Sequence, residues 1–317
     1  MDAVLGIDTS CYTTSAALAG EGFLLSERKL LPVAPGQRGL RQSEAVFAHI
    51  RQLGEVTERL FERARAQGEP VIRAVCVSAS PVDGEDSYMP VFRTGMAFAE
   101  TIAHTLGVKV YCTTHQRGHL RAAREYSGLE GDRFLALHLS GGTTDTMLSE
   151  GERLVPLLRG LDLHAGQLVD RTGVALGLPF PAGPYLEELA RGAEDVLRLP
   201  VSMDDGGCHL SGAENALISA IRQGESRETV AKSVYDLLCR TVLRLLADAA
   251  EKTGESRALL FGGVASSALL REMLLERNQK RRIGLRLYFG RPELSGDNAA
   301  GVALIGFEKY KGAETDK

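Results

Sequence analysis

Apolar positions near the start of the chain follow a strand-like pattern before changing to a helical one. Ala3 to Ile7 forms a short apolar run, which predicts a buried strand. A turn rich in Ser and Thr follows, then a second apolar stretch ending at Leu18 and a short turn at Gly20-Glu21-Gly22 that starts a third strand. Leu30 to Leu40 carries Pro and Gly and reads as loop. From Ser43 to Arg65 the apolar side chains Val46, Phe47, Ile50, Leu53, Val56, Leu60 and Phe61 recur at helical spacing, with Ser43 the expected N-cap. A strand over Ala74 to Ser78, a loop at Pro81-Val82-Asp83-Gly84, a helix over Thr94 to Leu106 and a strand over Val108 to Cys112 complete the first series. A helix opening near Thr114 and running to about Tyr126 ends it.

The second half restarts in the same order. Strand, turn and strand run from Phe134 to Leu148, followed by an amphipathic helix over Gln167 to Leu176 and an irregular Gly- and Pro-rich stretch, Gly177 to Pro184. A long helix is expected over Arg227 to Lys252, then a strand over Ala258 to Phe261 and a helix over Ser266 to Glu276. A last strand over Arg286 to Phe289 and a helix over Ala299 to Phe307 follow, with a frayed polar tail beyond Lys311. The two turns match in kind: Asp8-Thr9-Ser10-Cys11-Tyr12-Thr13 and Ser140-Gly141-Gly142-Thr143-Thr144. Each leaves backbone N–H groups and hydroxyls converging, the chemistry an anion such as a phosphate requires. Alternating strands and helices after an opening hairpin, repeated twice, predict an α/β fold. Two lobes, over residues 1–130 and 131–317, are expected to close on a nucleotide.

Composition narrows this picture only slightly. Apolar residues make up 44% and charged residues 25%, as in an ordinary globular protein, and no apolar run approaches membrane-spanning length. The five cysteines (Cys11, Cys76, Cys112, Cys208, Cys239) form no CxxC pair, which argues against a disulfide framework and fits the reducing cytoplasm. Cys11 and Cys112 read as buried small apolar residues rather than nucleophiles. A net charge of −4 does not suit the whole surface to nucleic acid. The stretch Arg271 to Arg291 is nevertheless strongly basic and reads either as a contact for RNA phosphates or as a solvated helix end.

His115 and His119 stand four apart on a predicted helix, so their imidazoles share a face in a spacing that a divalent metal can bridge; a pair of surface histidines is the alternative. Gln116 occupies the place where a zinc protease needs its glutamate base, which removes the main support for proteolysis. A further carboxylate ligand is required, and Asp297 is the candidate, although Asp at a helix start also serves as an N-cap. Ser140 to Thr143 and the strand-to-helix turn Gly262-Gly263-Val264 are candidate nucleotide contacts, with plain chain punctuation the other reading. Asp170 is placed to accept ribose hydroxyls or, as on most helices, to face solvent.

Together these motifs resemble the TsaD family of threonylcarbamoyl transferases, once labelled O-sialoglycoprotein endopeptidases. The resemblance covers nearly the whole chain. It rests on Leu5-Gly6-Ile7-Asp8-Thr9-Ser10-Cys11, His115-x-x-Gly118-His119-Leu120, Leu139-Ser140-Gly141-Gly142 and Ala165-Gly166-Gln167-Leu168-Val169-Asp170. It continues through Gly177-Leu178-Pro179-Phe180-Pro181-Ala182-Gly183-Pro184, Ser211-Gly212, Gly262-Gly263-Val264-Ala265 and Asp297-Asn298-Ala299-Ala300.

The resemblance implies the duplicated fold of actin, Hsp70 and the sugar kinases. It also implies transfer of threonylcarbamoyl from an ATP-derived adenylate to the adenosine beside the tRNA anticodon. By that resemblance His115, His119 and Asp297 hold one divalent metal (Fe, Zn or Mg) and are the catalytic set. Ser140, Gly141, Gly142 and Thr143 meet the phosphate or carbamoyl group, Asp170 and Gly183 the nucleoside, and Gly262, Gly263 and Ser267 complete the nucleotide site. A protein partner of the same modification machinery or a second copy is implied, and no membrane. This chain departs from the family pattern at several positions. Tyr12 and Thr13 replace an acidic pair, Thr143 a histidine, Ser267 an asparagine and Glu214 a lysine, while Gly84 to Phe92 lacks a Gly-rich run. These changes mark a diverged paralogue and keep two alternatives open. One is acyl or carbamoyl transfer to a small molecule; the other is a noncatalytic nucleotide-binding scaffold for a true transferase.

Overall fold

The computed structural model describes residues 1–10, 12–32, 40–84, 87–151 and 153–315. Contacts divide the chain into two compact units, one of Met1–Ala123 with Gly296–Lys317 and one of Arg124–Ser295. No described helix is long and apolar enough to cross a membrane.

The first unit is built on five strands: β1 (Asp2–Thr9), β2 (Thr13–Gly20), β3 (Phe23–Leu30), β4 (Val71–Ser80) and β5 (Lys109–Thr114), in the order β3-β2-β1-β4-β5. β1 runs antiparallel to β2 and parallel to β4. Its side chains alternate between two covered faces, which explains the unbroken apolar run in the sequence. Ala3, Leu5 and Ile7 pack with residues of α1 (Gln42–Arg65) and α2 (Pro90–Leu106). Val4, on the opposite face, packs with Val302 of the C-terminal helix α9 (Ala300–Thr315), and Ala17 and Ala19 of β2 pack with Ala299 and Ala303.

Small residues let α9 approach very closely. A Cβ at Gly6 would stand 2.5 Å from the backbone nitrogen of Ala303, and one at Gly301 only 1.8 Å from the carbonyl oxygen of Gly118. Gly118 belongs to α3 (His115–Arg124). The two helices therefore cross backbone to backbone, and this crossing sets the geometry of the residues at their ends.

The second unit repeats the strand order. β6 (Arg133–Leu139), β7 (Thr144–Glu150) and β8 (Arg153–Gly160) form an antiparallel meander, and β11 (Arg257–Phe261) and β12 (Arg286–Phe289) add on in parallel beside β6. The short strands β9 (Ser202–Asp204) and β10 (Gly207–His209) extend the sheet to the order β12-β11-β6-β7-β8-β10-β9. Its core gathers Leu135, Leu137 and Leu139 of β6 with Val234, Leu238 and Leu245 of α7 (Arg227–Thr253). Around them lie α4 (Ala165–Ala175), α5 (Gly183–Arg191), α6 (Ser211–Arg222) and α8 (Ala268–Arg281).

The departures from the sequence reading have physical causes. The segment from Gly296 onward, expected in the second lobe, belongs to the first unit because the glycine and alanine face of α9 fits β1 and α3. α9 also continues to Thr315 rather than fraying beyond Lys311. The N-cap of α1 is Arg41, not Ser43, and the Glu44 carboxylate accepts the Arg41 N–H at 3.1 Å. Cys112 is exposed because β5 is an edge strand, whereas Cys76, Cys208 and Cys239 are buried; Cys11 lies outside the described residues. The strands β8 to β10 and the helices α5 and α6 were not anticipated, since Pro, Gly and polar residues interrupt their apolar periodicity.

The crossing yields a paired expectation. Gly301→Ala forces a methyl group onto the Gly118 carbonyl and is expected to lower unfolding free energy by about 1–3 kcal/mol in urea titrations. Gly312→Ala, on the same helix with open space around it, is expected to be neutral or stabilising by up to ~1 kcal/mol.

Candidate functional site

Two groups of candidate residues assemble, one within each unit. In the first, β5 runs directly into α3, so His115 is the first helical residue and His119 stands one turn later on the same face. The close crossing of α3 and α9 brings the residues preceding α9 towards that face. Asn298, not Asp297, carries the capping bond: its Oδ1 accepts the Ala300 N–H at 2.9 Å. The Asp297 carboxylate is thus available for the histidines. Its Oδ1 lies 3.1 Å from His119 Nε2 and 3.6 Å from His115 Nε2, and the two Nε2 atoms are 3.0 Å apart. Two ring nitrogens and one carboxylate oxygen therefore point at a common centre, as the sequence reading expected.

A buried shell orients this triad. His115 Nδ1 donates to Asp8 Oδ2 at 2.7 Å, which turns Nε2 towards His119 and Asp297. Asp8, buried at the end of β1, also accepts from the Ser78 hydroxyl on neighbouring β4. Ser10 Oγ donates to the other Asp297 oxygen at 2.8 Å, and buried His49 of α1 donates from Nε2 to the Ser10 carbonyl, also at 2.8 Å. Desolvation lowers the His49 pKa. Burial alone would lower that of His115, but the carboxylates of Asp8 and Asp297 together hold it well above the ordinary imidazole value. Burial alone would raise Asp297, but hydrogen bonds from His115 and His119 hold it well below the ordinary carboxylate value.

The second group lines a cavity of about 380 Å³ in the other unit, within the range of small-molecule sites. Gly141, Asp170, Gly183, Gly263 and Ser267 are among its lining residues. Of the turn Ser140–Thr143, Gly141 alone contributes to the lining. Ser140 instead fixes the turn, its N–H donating to the Thr143 carbonyl at 2.9 Å and its own carbonyl accepting the Gly166 N–H at 3.0 Å. Gly262 also acts from outside the lining: at φ +99° a Cβ would meet the Leu139 carbonyl at 2.3 Å. The third expected turn therefore packs directly against the second.

Asp170 is half-buried rather than solvated. Its Oδ1 accepts the Ala182 N–H at 2.8 Å, while desolvation raises its pKa. Ser267 Oγ caps α8 by accepting the Leu270 N–H at 3.1 Å.

Sequence reasoning placed Asp8 and Ser10 in an anion-binding turn, whereas their side chains bind His115 and Asp297, and it assigned no role to His49, Glu187 or Tyr235. Asp8 carried a usable signal, a carboxylate closing an otherwise apolar strand. Glu187 and Tyr235 line the cavity but gave none, because Glu187 reads as a helix-surface partner of Arg191 and Tyr235 as a core residue of α7. Tyr235 donates to the Gly183 carbonyl at 3.1 Å and so ties α7 to the first turn of α5.

The duplicated sheet and these two sites define a protein of the actin, Hsp70 and sugar-kinase fold. HypF of T. kodakarensis superposes with a TM-score of 0.66 at 14% identity, covering 99% of this chain, while this chain spans 48% of HypF. A ROK family glucokinase from Streptomyces griseus superposes with a TM-score of 0.54 at 16% identity, covering 96% of this chain and 99% of its own. Residues 32–304 match the TsaD family, described as tRNA N6-adenosine threonylcarbamoyltransferase, and the chain belongs to that family. A relative from Methanopyrus kandleri bearing the same description is 32% identical over 290 residues, or 90% of this chain and 81% of its own.

The charge arrangement predicts a titration. In the cation-free protein, NMR of the His115 ring is expected to show a midpoint above the ordinary imidazole value, and Asp297→Asn to move it down. The raised value makes the His115 contribution to stability largest below the unfolded imidazole pKa and lost as pH rises through the folded one, whereas the Asp297 contribution is present above the unfolded carboxylate pKa and lost as pH falls through the folded one.

Proposed function

We propose that this chain transfers the threonylcarbamoyl group from threonylcarbamoyl-AMP to N6 of the adenosine beside the tRNA anticodon. The observation that carries the reading is membership of the TsaD family combined with the convergence of His115, His119 and Asp297 within the first unit. Two imidazoles and one carboxylate are a donor set that suits Fe or Zn better than Mg, which prefers oxygen ligands. The fit is favourable because Asp8 takes the Nδ1 proton of His115 and so makes Nε2 the coordinating atom once a metal displaces its proton, and the low Asp297 pKa keeps that carboxylate ionised. A cation held there supplies Lewis acidity for the acyl carbonyl and charge for the departing phosphate.

The remaining work falls to the chain. Gly141, Gly263 and the first turn of α5 offer backbone groups to the adenylate, and Asp170 offers a carboxylate to its ribose. The N6 amine attacks the acyl carbon, so a C–N bond forms, the anhydride C–O bond breaks and AMP leaves with the electron pair. N6 gives up one proton, which passes to water. No covalent enzyme intermediate is required.

The retained triad supports an enzyme rather than a scaffold. The net charge of −4 keeps transfer to a small molecule as the second reading, since tRNA binding by an acidic chain needs a local basic surface or a partner, while Tyr12, Thr13 and Thr143 are what a scaffold reading would rest on. The leading reading also implies a cytoplasmic protein working on tRNA with a partner of the modification machinery or a second copy of itself. Anaerobic purification, metal and nucleotide analysis, and incubation with threonylcarbamoyl-AMP and unmodified tRNA test it. Bound metal and modified adenosine are expected; absence of both contradicts the proposal. Product formed without RNA favours the small-molecule reading, and cellular function surviving His115→Ala favours a scaffold.

Loss of the Asp8 contact gives a sharper check on the ligand assignment. Asp8→Asn is expected to weaken divalent-metal affinity by about 10–100-fold in chelator competition, because His115 Nδ1 then meets a neutral amide with one acceptor oxygen, shared with Ser78, in place of a carboxylate.

A further inference from the structure

The fifteen residues from Arg277 to Arg291 hold six cations and no carboxylate, in a chain whose net charge is −4. The fold concentrates part of that charge at one corner. α8 ends at Arg281, a tight turn follows, and β12 begins at Arg286. The Asn278 side chain pins the turn by donating to the Leu285 carbonyl at 2.8 Å and accepting the Leu285 N–H at 3.3 Å. Arg281, Arg282 and Arg286 are all exposed there. Among the described residues none of their side chains makes a hydrogen bond or an ion pair.

Four carboxylates of this unit are already matched to other cations. Glu255 is held by Arg257, Glu150 by Arg133, Glu276 by Lys280 and Asp236 by Arg240 and Arg277. The three arginines are therefore surplus positive charge. The helix dipole accounts for cations at 281 and 282 but not for Arg286, which opens a strand. Arg282 also adopts φ +53°, a left-handed C-cap conformation that Gly takes without strain, so backbone stability does not favour Arg there.

We infer that the corner formed by Arg281, Arg282 and Arg286 is a docking surface for RNA phosphates, separate from the cavity. The inference rests on the reading above that the acceptor is tRNA. Separation follows from topology: Arg286 pairs in register with Arg257 at the start of β11, whereas the cavity residues Gly263 to Ser267 follow the end of that strand. Five residues of strand put roughly 17 Å between them. The surface meets an extended polyanion beyond the reacting nucleotide. No large apolar side chain from Arg277 to Arg291 is exposed, so the patch lacks the apolar anchors of a protein interface, and guanidinium groups suit phosphate.

The test is binding of unmodified tRNA transcript across a salt series, comparing the native chain with an Arg281→Gln, Arg282→Gly, Arg286→Gln variant. Gly at 282 relieves the backbone, so the variant is expected to melt no earlier than the native chain. Its tRNA affinity is expected to fall about tenfold or more, with the slope of log K against log salt shallower by about 2. Adenylate binding is expected to stay unchanged, and so is kcat, while KM for tRNA rises. Arg281→Lys with Arg286→Lys should retain most of the binding.

Equal affinity and equal slope in native and triple variant overturn the inference. So does a native chain that binds no tRNA, or a variant that loses polyglutamate binding while keeping tRNA, which assigns the patch to an acidic protein. A native chain that binds tRNA through these arginines yet modifies none removes the transferase reading and leaves the surface standing.

Discussion

Backbone contact between α9 and its neighbours governs this protein more than any polar interaction. Gly6 lets the helix lie on β1, and Gly118 and Gly301 let it cross α3 without intervening side chains. Because α9 cannot shift without losing that fit, the residues entering it are held against the histidine face of α3. Asp297 reaches His115 and His119 from far away in sequence because glycine packing, a property of apolar surface and shape, has fixed where the helix begins.

Electrostatics then acts on a scaffold already in place. Asp297 and the buried Asp8 flank the His115 ring, and these two carboxylates hold its pKa high against burial. Asp8, Ser10 and His49 form a second layer that gives each ligand atom its direction, and these residues come from β1, the turn after it and α1. The antiparallel hairpin and the parallel strand both terminate beside this layer, which is the recurrent placement of sites in open α/β sheets. The second unit uses the same strand order for a different purpose, a cavity bordered by backbone at Gly141 and Gly263.

Much of this was legible in the residues. The apolar runs located β1, β6 and β11 well, because strands buried on both faces leave little room for polar residues. The nearness of His115 and His119 was legible from their spacing on one helix face, whereas Asp297 had a plain N-cap as its rival and was joined to them through the family resemblance. Domain membership of α9 was not legible, since its Gly and Ala residues look like a generic helix until the partner backbone is known. Cys112 was misjudged for a related reason: burial of a strand residue depends on whether the strand lies inside the sheet or at its edge. Glu187 and Tyr235 escaped notice because cavity lining is a tertiary property, and each has an ordinary local role that hides it.

The account stands or falls on whether one cation is bound by these three side chains. X-ray absorption at the metal edge, recorded on iron- or zinc-loaded native protein and on the His119→Ala and Asp297→Ala variants, addresses that directly. The prediction is imidazole scattering from two histidines with an additional oxygen ligand in the native protein, one imidazole fewer in the first variant, and loss of stoichiometric metal in the second. A spectrum lacking imidazole scattering, or one unchanged by either substitution, would contradict it.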